Sequence, residues 1–123
     1  MYGKVAATDV YGAEPLIFTT NDRNKPETSF VMINDIHGRT DDIPQLLKVA
    51  DYKNTDMVIF NGDMLSQLKN EEELFTGFMD VSIDMFAKET PMYYARGNHE
   101  TRGIFATFFQ HYFCLLYTSP SPR

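Results

Sequence analysis

Short apolar runs alternate with longer amphipathic stretches along most of this chain. Phe30-Val31-Met32-Ile33, Met57-Val58-Ile59-Phe60 and Met92-Tyr93-Tyr94-Ala95 are bounded by polar or turn-forming residues. Runs of this length and composition read as buried β-strands. Between them, apolar positions recur at helical spacing. Asp41-Asp42 can cap a helix with Pro44 in its first turn, and Ile43, Leu46, Leu47 and Ala50 follow on one face. Asn70-Glu71-Glu72-Glu73 resembles a capping box that opens a longer helix. The apolar face of that helix is Leu74, Phe75, Phe78, Met79, Ile83 and Phe86, and Thr90-Pro91 ends it. A third helix is predicted from Ile104-Phe105 to Phe109 and beyond. The order from residue 28 is βαβαβα, which predicts an α/β fold on a parallel sheet.

The first twenty residues follow a different pattern. Val5-Ala6-Ala7-Thr8 and Leu16-Ile17-Phe18-Thr19-Thr20 predict a β-hairpin, with Asp9 to Pro15 as its loop. Residues 21–28 form a polar linker with turn formers. The expected organisation is therefore the end of a β-sandwich domain over 1–20, a linker over 21–28 and an α/β domain over 29–113. An edge hairpin of the main sheet is the competing reading of residues 1–20.

Residues 114–123 are expected not to be native protein. The decapeptide Cys114-Leu115-Leu116-Tyr117-Thr118-Ser119-Pro120-Ser121-Pro122-Arg123 resembles the conceptual translation of a transposase adapter used in sequencing libraries. The string TGT CTC TTA TAC ACA TCT CCG AGC CCA CGA encodes it without a mismatch. A Pro/Ser-rich tail is the alternative. The adapter reading implies a truncated α/β domain, inactive and poorly folded when made alone.

Composition narrows the function classes. The chain is 43% hydrophobic and 23% charged, which suits a globular domain. Its formal net charge is -6, one unit more negative without Arg123, and it has no basic stripe. Bulk nucleic-acid binding is not expected of such a surface. No apolar run approaches the roughly 20 residues of a membrane helix. Cys114 is the only cysteine, so neither a disulfide framework nor a thiolate metal site is expected.

The candidate chemistry lies directly after the three strands. Asp35-Ile36-His37 follows the first, Asn61-Gly62-Asp63 the second and Gly97-Asn98-His99-Glu100 the third. Parallel α/β sheets place their sites at the C-terminal strand ends, so these blocks converge on one edge. Singly each block is weak, since Asp-x-His and Gly-Asp are common turns. As an ordered set they predict a site for metal ions and phosphate.

At these residues the chain resembles the calcineurin-like metallophosphoesterase family, over residues 29 to about 110. The family pattern is Asp-x-His, Gly-Asp, Gly-Asn-His-[Glu/Asp], a lone His, then Gly-His-x-His. The first three blocks match without substitution. The resemblance implies the N-terminal half of the metallophosphoesterase α/β sandwich. It also implies two divalent metal ions (Mn, Fe or Zn) and hydrolysis of phosphate mono- or diesters by metal-activated water. Asp35 and His37 would then bind the first metal, Asp63 would bridge both, and Asn98 would bind the second. His99 would lie beside the phosphate, with Glu100 orienting it. Arg39, Arg96 and Arg102 flank the blocks and would grip phosphate oxygens, with solvated surface as their competing reading. Oxygen and imidazole ligands suit such metals, and one carboxylate can hold two cations about 3.5–4 Å apart.

Two further expectations come from the resemblance. Purple acid phosphatases carry a Tyr three residues after the bridging Asp; Ser66 stands there, which argues against an iron–tyrosinate site. The hairpin before the linker resembles the end of the fibronectin-III-like domain that precedes some secreted members, which favours an extracytoplasmic parent. The main competing function is a non-catalytic scaffold of the same fold that binds a partner. An aspartyl-phosphate phosphotransferase is a poor fit, because position 37 is His where that chemistry needs a second Asp.

Overall fold

The computed structural model describes residues 24–113 in full, with the backbone of Tyr2–Val5 and Leu16–Thr19 before them. The hairpin loop predicted over Asp9 to Pro15, the start of the linker and the segment 114–123 lie outside the described residues. Strands β1 (Tyr2–Val5) and β2 (Leu16–Thr19) pair antiparallel, with Val5 opposite Leu16. The described part of the first strand begins three residues before its predicted apolar run, and residues 6–8 of that run lie outside the described residues.

The main sheet is β3 (Phe30–Ile33), β4 (Met57–Asn61) and β5 (Met92–Ala95), all parallel, in the order β3-β4-β5. It is a separate sheet from the hairpin. Helix α1 (Asp42–Val49) connects β3 to β4, and a helical run over 71–87, here α2, connects β4 to β5. Side chains alternate across a strand. Val31, Ile33, Val58, Phe60 and Tyr94 therefore face the helices and are buried against Ile43, Leu47, Phe78, Phe86 and Phe109. On the opposite face Phe30, Met32 and Tyr93 are about half exposed, at 52%, 49% and 55%. Parallel sheets are ordinarily covered on both faces, so among the described residues one layer of the sandwich is present. This is the partial α/β fold expected from the element order. No helix among the described residues is long and apolar enough to cross a membrane.

Both predicted helix starts occur, with different chemistry. Asp41 makes no capping bond with its side chain. Asn70 does cap α2: its Oδ1 accepts from the Glu73 amide at 2.9 Å, and Glu73 Oε2 accepts in return from the Lys69 amide at 2.8 Å. The reciprocal bond reaches one residue further back than in a standard capping box.

The interior of α2 departs from the predicted face. It contains two π-helical stretches, Phe75–Met79 and Ile83–Ala87, separated by Asp80–Ser82. Wider turns lengthen the period, and the fully buried stripe becomes Leu74, Phe78, Ser82 and Phe86, spaced by four. Ile83, expected inside at a period of 3.6, is 37% exposed. Ser82 is buried in its place, and its hydroxyl donates to the Phe78 carbonyl at 2.6 Å. The third predicted helix is shorter than expected. It is a 3-10 turn, Ala106–Phe108, followed by one α-helical turn, Phe109–Tyr112, with Ile104 exposed.

A polar latch ties the approach to β3 to the start of β4. Asp56 accepts from the Ser29 amide at 2.8 Å, from the Ser29 hydroxyl at 2.9 Å and from the Lys25 ammonium. The Lys25 bond, aided by those from Ser29, holds the Asp56 carboxyl down at about 2. A depressed carboxylate stabilises the fold above its unfolded pKa and loses that contribution as pH falls through the folded value. Asp56→Asn should therefore lower Tm slightly near neutral pH. The difference from wild type should shrink between about pH 4 and pH 2. Thermal unfolding across that range checks this; a gap that stays constant down to pH 2 would remove the latch.

Candidate metal centre

The turn after β3 places two polar side chains on one side because an apolar residue separates them. Ile36 is buried in the core, and Asp35 and His37 on either side of it lie outside. The turn runs beside the one after β4 and extends the parallel pairing past the strand ends. The amides of Asp35, His37 and Gly38 donate to the carbonyls of Gly62, Asp63 and Met64 at 3.2, 2.9 and 2.8 Å. Met64 and Leu65 anchor the second turn in the core.

Backbone strain concentrates here. Among the described residues four non-glycines have positive φ: Asp35 (59°), His37 (52°), Asp51 (54°) and Asp63 (54°). Three of the four are predicted metal ligands. Sparsely populated conformations of this kind cost of order 1–3 kcal/mol each and cluster at functional sites.

The ligand atoms of His37, Asp63 and His99 all lie within 4.8 Å of one another. The imidazoles of His37 and His99 meet edge to face, with centroids 4.3 Å apart. Asp35 Oδ1 lies 3.6 Å from His37 Nε2, at the rim of the cluster, and Asp63 Oδ1 accepts from the His99 amide at 2.8 Å. The Asn98 amide has two possible orientations. With its nitrogen toward Asp63 it donates to Oδ2 at 3.0 Å, and its oxygen accepts from Arg102 Nη2 at 3.0 Å. Turned the other way, its oxygen faces Asp63 Oδ2 and its nitrogen faces Arg102 Nη2, so acceptor meets acceptor and donor meets donor. Carboxylate, imidazole and amide oxygen within a few ångströms suit a first-row divalent ion, so the donor set fits a metal. The three-residue cluster contains His99, which the resemblance puts beside the phosphate, and Asp35 and Asn98 lie around it.

His99 Nδ1 lies 2.9 Å from the Ser66 carbonyl, which can only accept, so Nδ1 carries a proton and Nε2 is the ring nitrogen left for other partners. The Ser66 hydroxyl donates to the His37 carbonyl at 2.9 Å. Ser66 thus ties both histidines together. Sequence reasoning considered it only as the residue where a tyrosine ligand would stand. Neither bond had a local signal, because one uses a main-chain carbonyl and the other a main-chain acceptor 29 residues away.

Glu100 does not contact the His99 ring as expected. It is fully buried, and Asp63, Leu65, Gly97 and Tyr94 all donate to it. Tyr94 was expected only as part of a strand. Burial, reinforced by the negative charge of Glu100, pushes its phenol pKa upward, so it remains a donor.

The arginines separate. Arg102 reaches the site, with Nη1 3.4 Å from His99 Nδ1. Arg39 pairs with Asp42 at 3.3 Å on the surface and also donates to the Asp35 carbonyl at 3.5 Å. Arg96 is exposed.

A family model described as calcineurin-like phosphoesterase matches residues 28–121. Its span runs past residue 113 into the segment read above as translated adapter. Comparison with curated proteins and with solved structures returns no match.

Proposed function

Because the chain belongs to the calcineurin-like phosphoesterase family, we propose that it carries the first half of a dinuclear metal site that hydrolyses phosphate mono- or diesters. The observation that carries this reading is the convergence of His37, Asp63 and His99 at the ends of three different strands.

In this reading Asp35 and His37 would hold one cation, Asn98 would hold another, and Asp63 would be shared between them. Divalent ions bound there, Mn, Fe or Zn, supply Lewis acidity toward a phosphate oxygen and lower the pKa of water. The remaining steps belong to the protein. His99, with Nδ1–H held by the Ser66 carbonyl, directs Nε2 toward the ester; in its imidazolium form it would pass the Nε2 proton to the leaving oxygen and keep the one on Nδ1. Arg102 is the arginine best placed to offset negative charge developing on the phosphate. Arg39 and Arg96 act at the periphery.

The test is metal-dependent turnover by the full-length protein. Nitrophenyl phosphate and bis(nitrophenyl) phosphate should both be tried after chelation and re-addition of Mn²⁺ or Zn²⁺. Expected is hydrolysis that disappears with the metal and returns with it. Metal bound without turnover of either ester would favour the non-catalytic scaffold. Absence of metal binding would remove the reading altogether.

A further inference from the structure

We infer that Glu100 is a positioning residue: its carboxylate sets the distance between the turn that carries Asp63 and the segment that carries Asn98 and His99. The inference rests on the metal-site reading for its consequence and on geometry for its substance.

Glu100 is fully buried, and each of its oxygens takes two bonds. Oε2 accepts from the Asp63 amide and the Gly97 amide, both at 2.9 Å. Oε1 accepts from the Leu65 amide at 3.1 Å and the Tyr94 hydroxyl at 2.8 Å. Three amides and a hydroxyl converge on one side chain, an arrangement that two acceptor oxygens satisfy and a carboxamide does not. The donors come from both sides of the site. Two are amides of the turn after β4, one belongs to the turn after β5, and the hydroxyl is that of a β5 residue. A return bond runs from the His99 amide to Asp63 Oδ1 at 2.8 Å. The two segments are therefore locked twice, once through each carboxylate.

The lock bears on chemistry because Asp63 sits in a left-handed conformation at φ 54°. An Asp63 backbone freed of its anchor can relax toward ordinary φ and carry its carboxylate away from His37. Ligand geometry has to hold within about 0.5 Å for a site to work. Glu100 makes none of its bonds to an imidazole or a ligand atom; three go to backbone amides of the segments that bear them and one to the Tyr94 hydroxyl.

The experiment compares Glu100→Gln with Tyr94→Phe in the full-length protein, below the unfolding temperature of each. In Glu100→Gln one acceptor becomes an NH₂: in the Oε2 position it faces the Asp63 and Gly97 amides, and in the Oε1 position it faces the Leu65 amide while the Tyr94 hydroxyl can rotate to accept. Tyr94→Phe removes one donor and leaves the three backbone bonds. Expected is a loss of Mn²⁺ affinity by calorimetry of about 10–100-fold in Glu100→Gln, the range typical of outer-shell partners. Tyr94→Phe should change it less than about threefold. In metal-free protein, hydrogen exchange at the Asp63, Leu65 and Gly97 amides should accelerate in Glu100→Gln. Exchange at Val58 and Phe60 should not, although general destabilisation would move all five. Should Glu100→Gln fail to fold, Glu100→Asp replaces it, keeping the charge on a side chain one methylene shorter. Wild-type Mn²⁺ affinity in the folded variant, or unchanged exchange at all three of Asp63, Leu65 and Gly97, overturns the inference. A wild-type protein that binds no Mn²⁺ sinks the proposed function instead, and the exchange data still decide the role of Glu100.

Discussion

Asp63→Ala should strip the full-length protein of both cations and reduce phosphate-ester turnover by at least about three orders of magnitude, a barrier increase of roughly 4 kcal/mol. The size of the effect follows from three roles held by one side chain. Asp63 belongs to the His37–Asp63–His99 cluster, its carboxylate is the one that the proposed reading shares between two cations, and Oδ1 anchors the His99 amide. Alanine also fits poorly at φ 54°, where Asp and Asn are the better-tolerated L residues. Some stability should therefore be lost along with the metal. Asp63→Asn separates the two effects. It keeps an αL-tolerant side chain with one oxygen, so it should fold nearly as well as wild type yet hold at most one ion. Metal analysis per chain, run beside thermal unfolding, checks both statements. Two ions retained in Asp63→Asn would show that Asp63 does not bridge.

Gly97→Ala is expected to be nearly as damaging, by a steric route. A Cβ on Gly97 would lie 2.3 Å from Asp63 Oδ1 and 2.6 Å from the Asp63 nitrogen. Gly62 faces it from the neighbouring strand end. A Cβ there would lie 2.6 Å from the Gly97 nitrogen and 2.7 Å from its Cα, at φ +78°. In both cases a main-chain atom is in the way, so relief requires the β4 and β5 turns to move apart. Overpacking of this kind costs about 1–3 kcal/mol, and the unfavourable φ adds about another 1 at Gly62. The separation would also pull Asp63 away from His99, so metal affinity should fall even where the fold survives. Urea unfolding and Mn²⁺ titration of Gly97→Ala and Gly62→Ala provide the measurement. Wild-type stability and affinity in Gly97→Ala would mean that the two turns are not in close contact.

The two predictions show how differently the parts of this site were legible. Asp63 could be picked out from the chain because its signal is local: an apolar strand, then Gly-Asp, repeated in kind after two other strands. Strand ends on a parallel sheet lie on one edge whatever the details of packing. The meeting of Asp35, His37, Asp63 and His99 could therefore be argued from order alone. Nothing local in the chain shows that Gly62 and Gly97 stand against each other.

Glu100 shows the limit of that reasoning. Beside a histidine in a motif, it suggested a partner for the imidazole. Its rotamer, fixed by burial, instead turns it toward amides 35 and 37 residues away and toward Tyr94. Ser66 was missed for the same reason, since its functional atoms are a carbonyl and a hydroxyl aimed at main chain. The buried face of α2 was misjudged because a 3.6-residue period was assumed and two π-helical stretches lengthen it, exchanging Ile83 for Ser82.

The sequence by itself determined the element order, the three strands, the parallel α/β class and the residue types gathered at one edge. Those depend on hydropathy period and on motifs a few residues long. Only the tertiary structure decided which helix residues are inside, which arginine reaches the site, which ring nitrogen of His99 is left free and what Glu100 holds. Those depend on contacts between residues tens of positions apart, whose geometry is set by packing and hydrogen bonding rather than by any local signal in the chain.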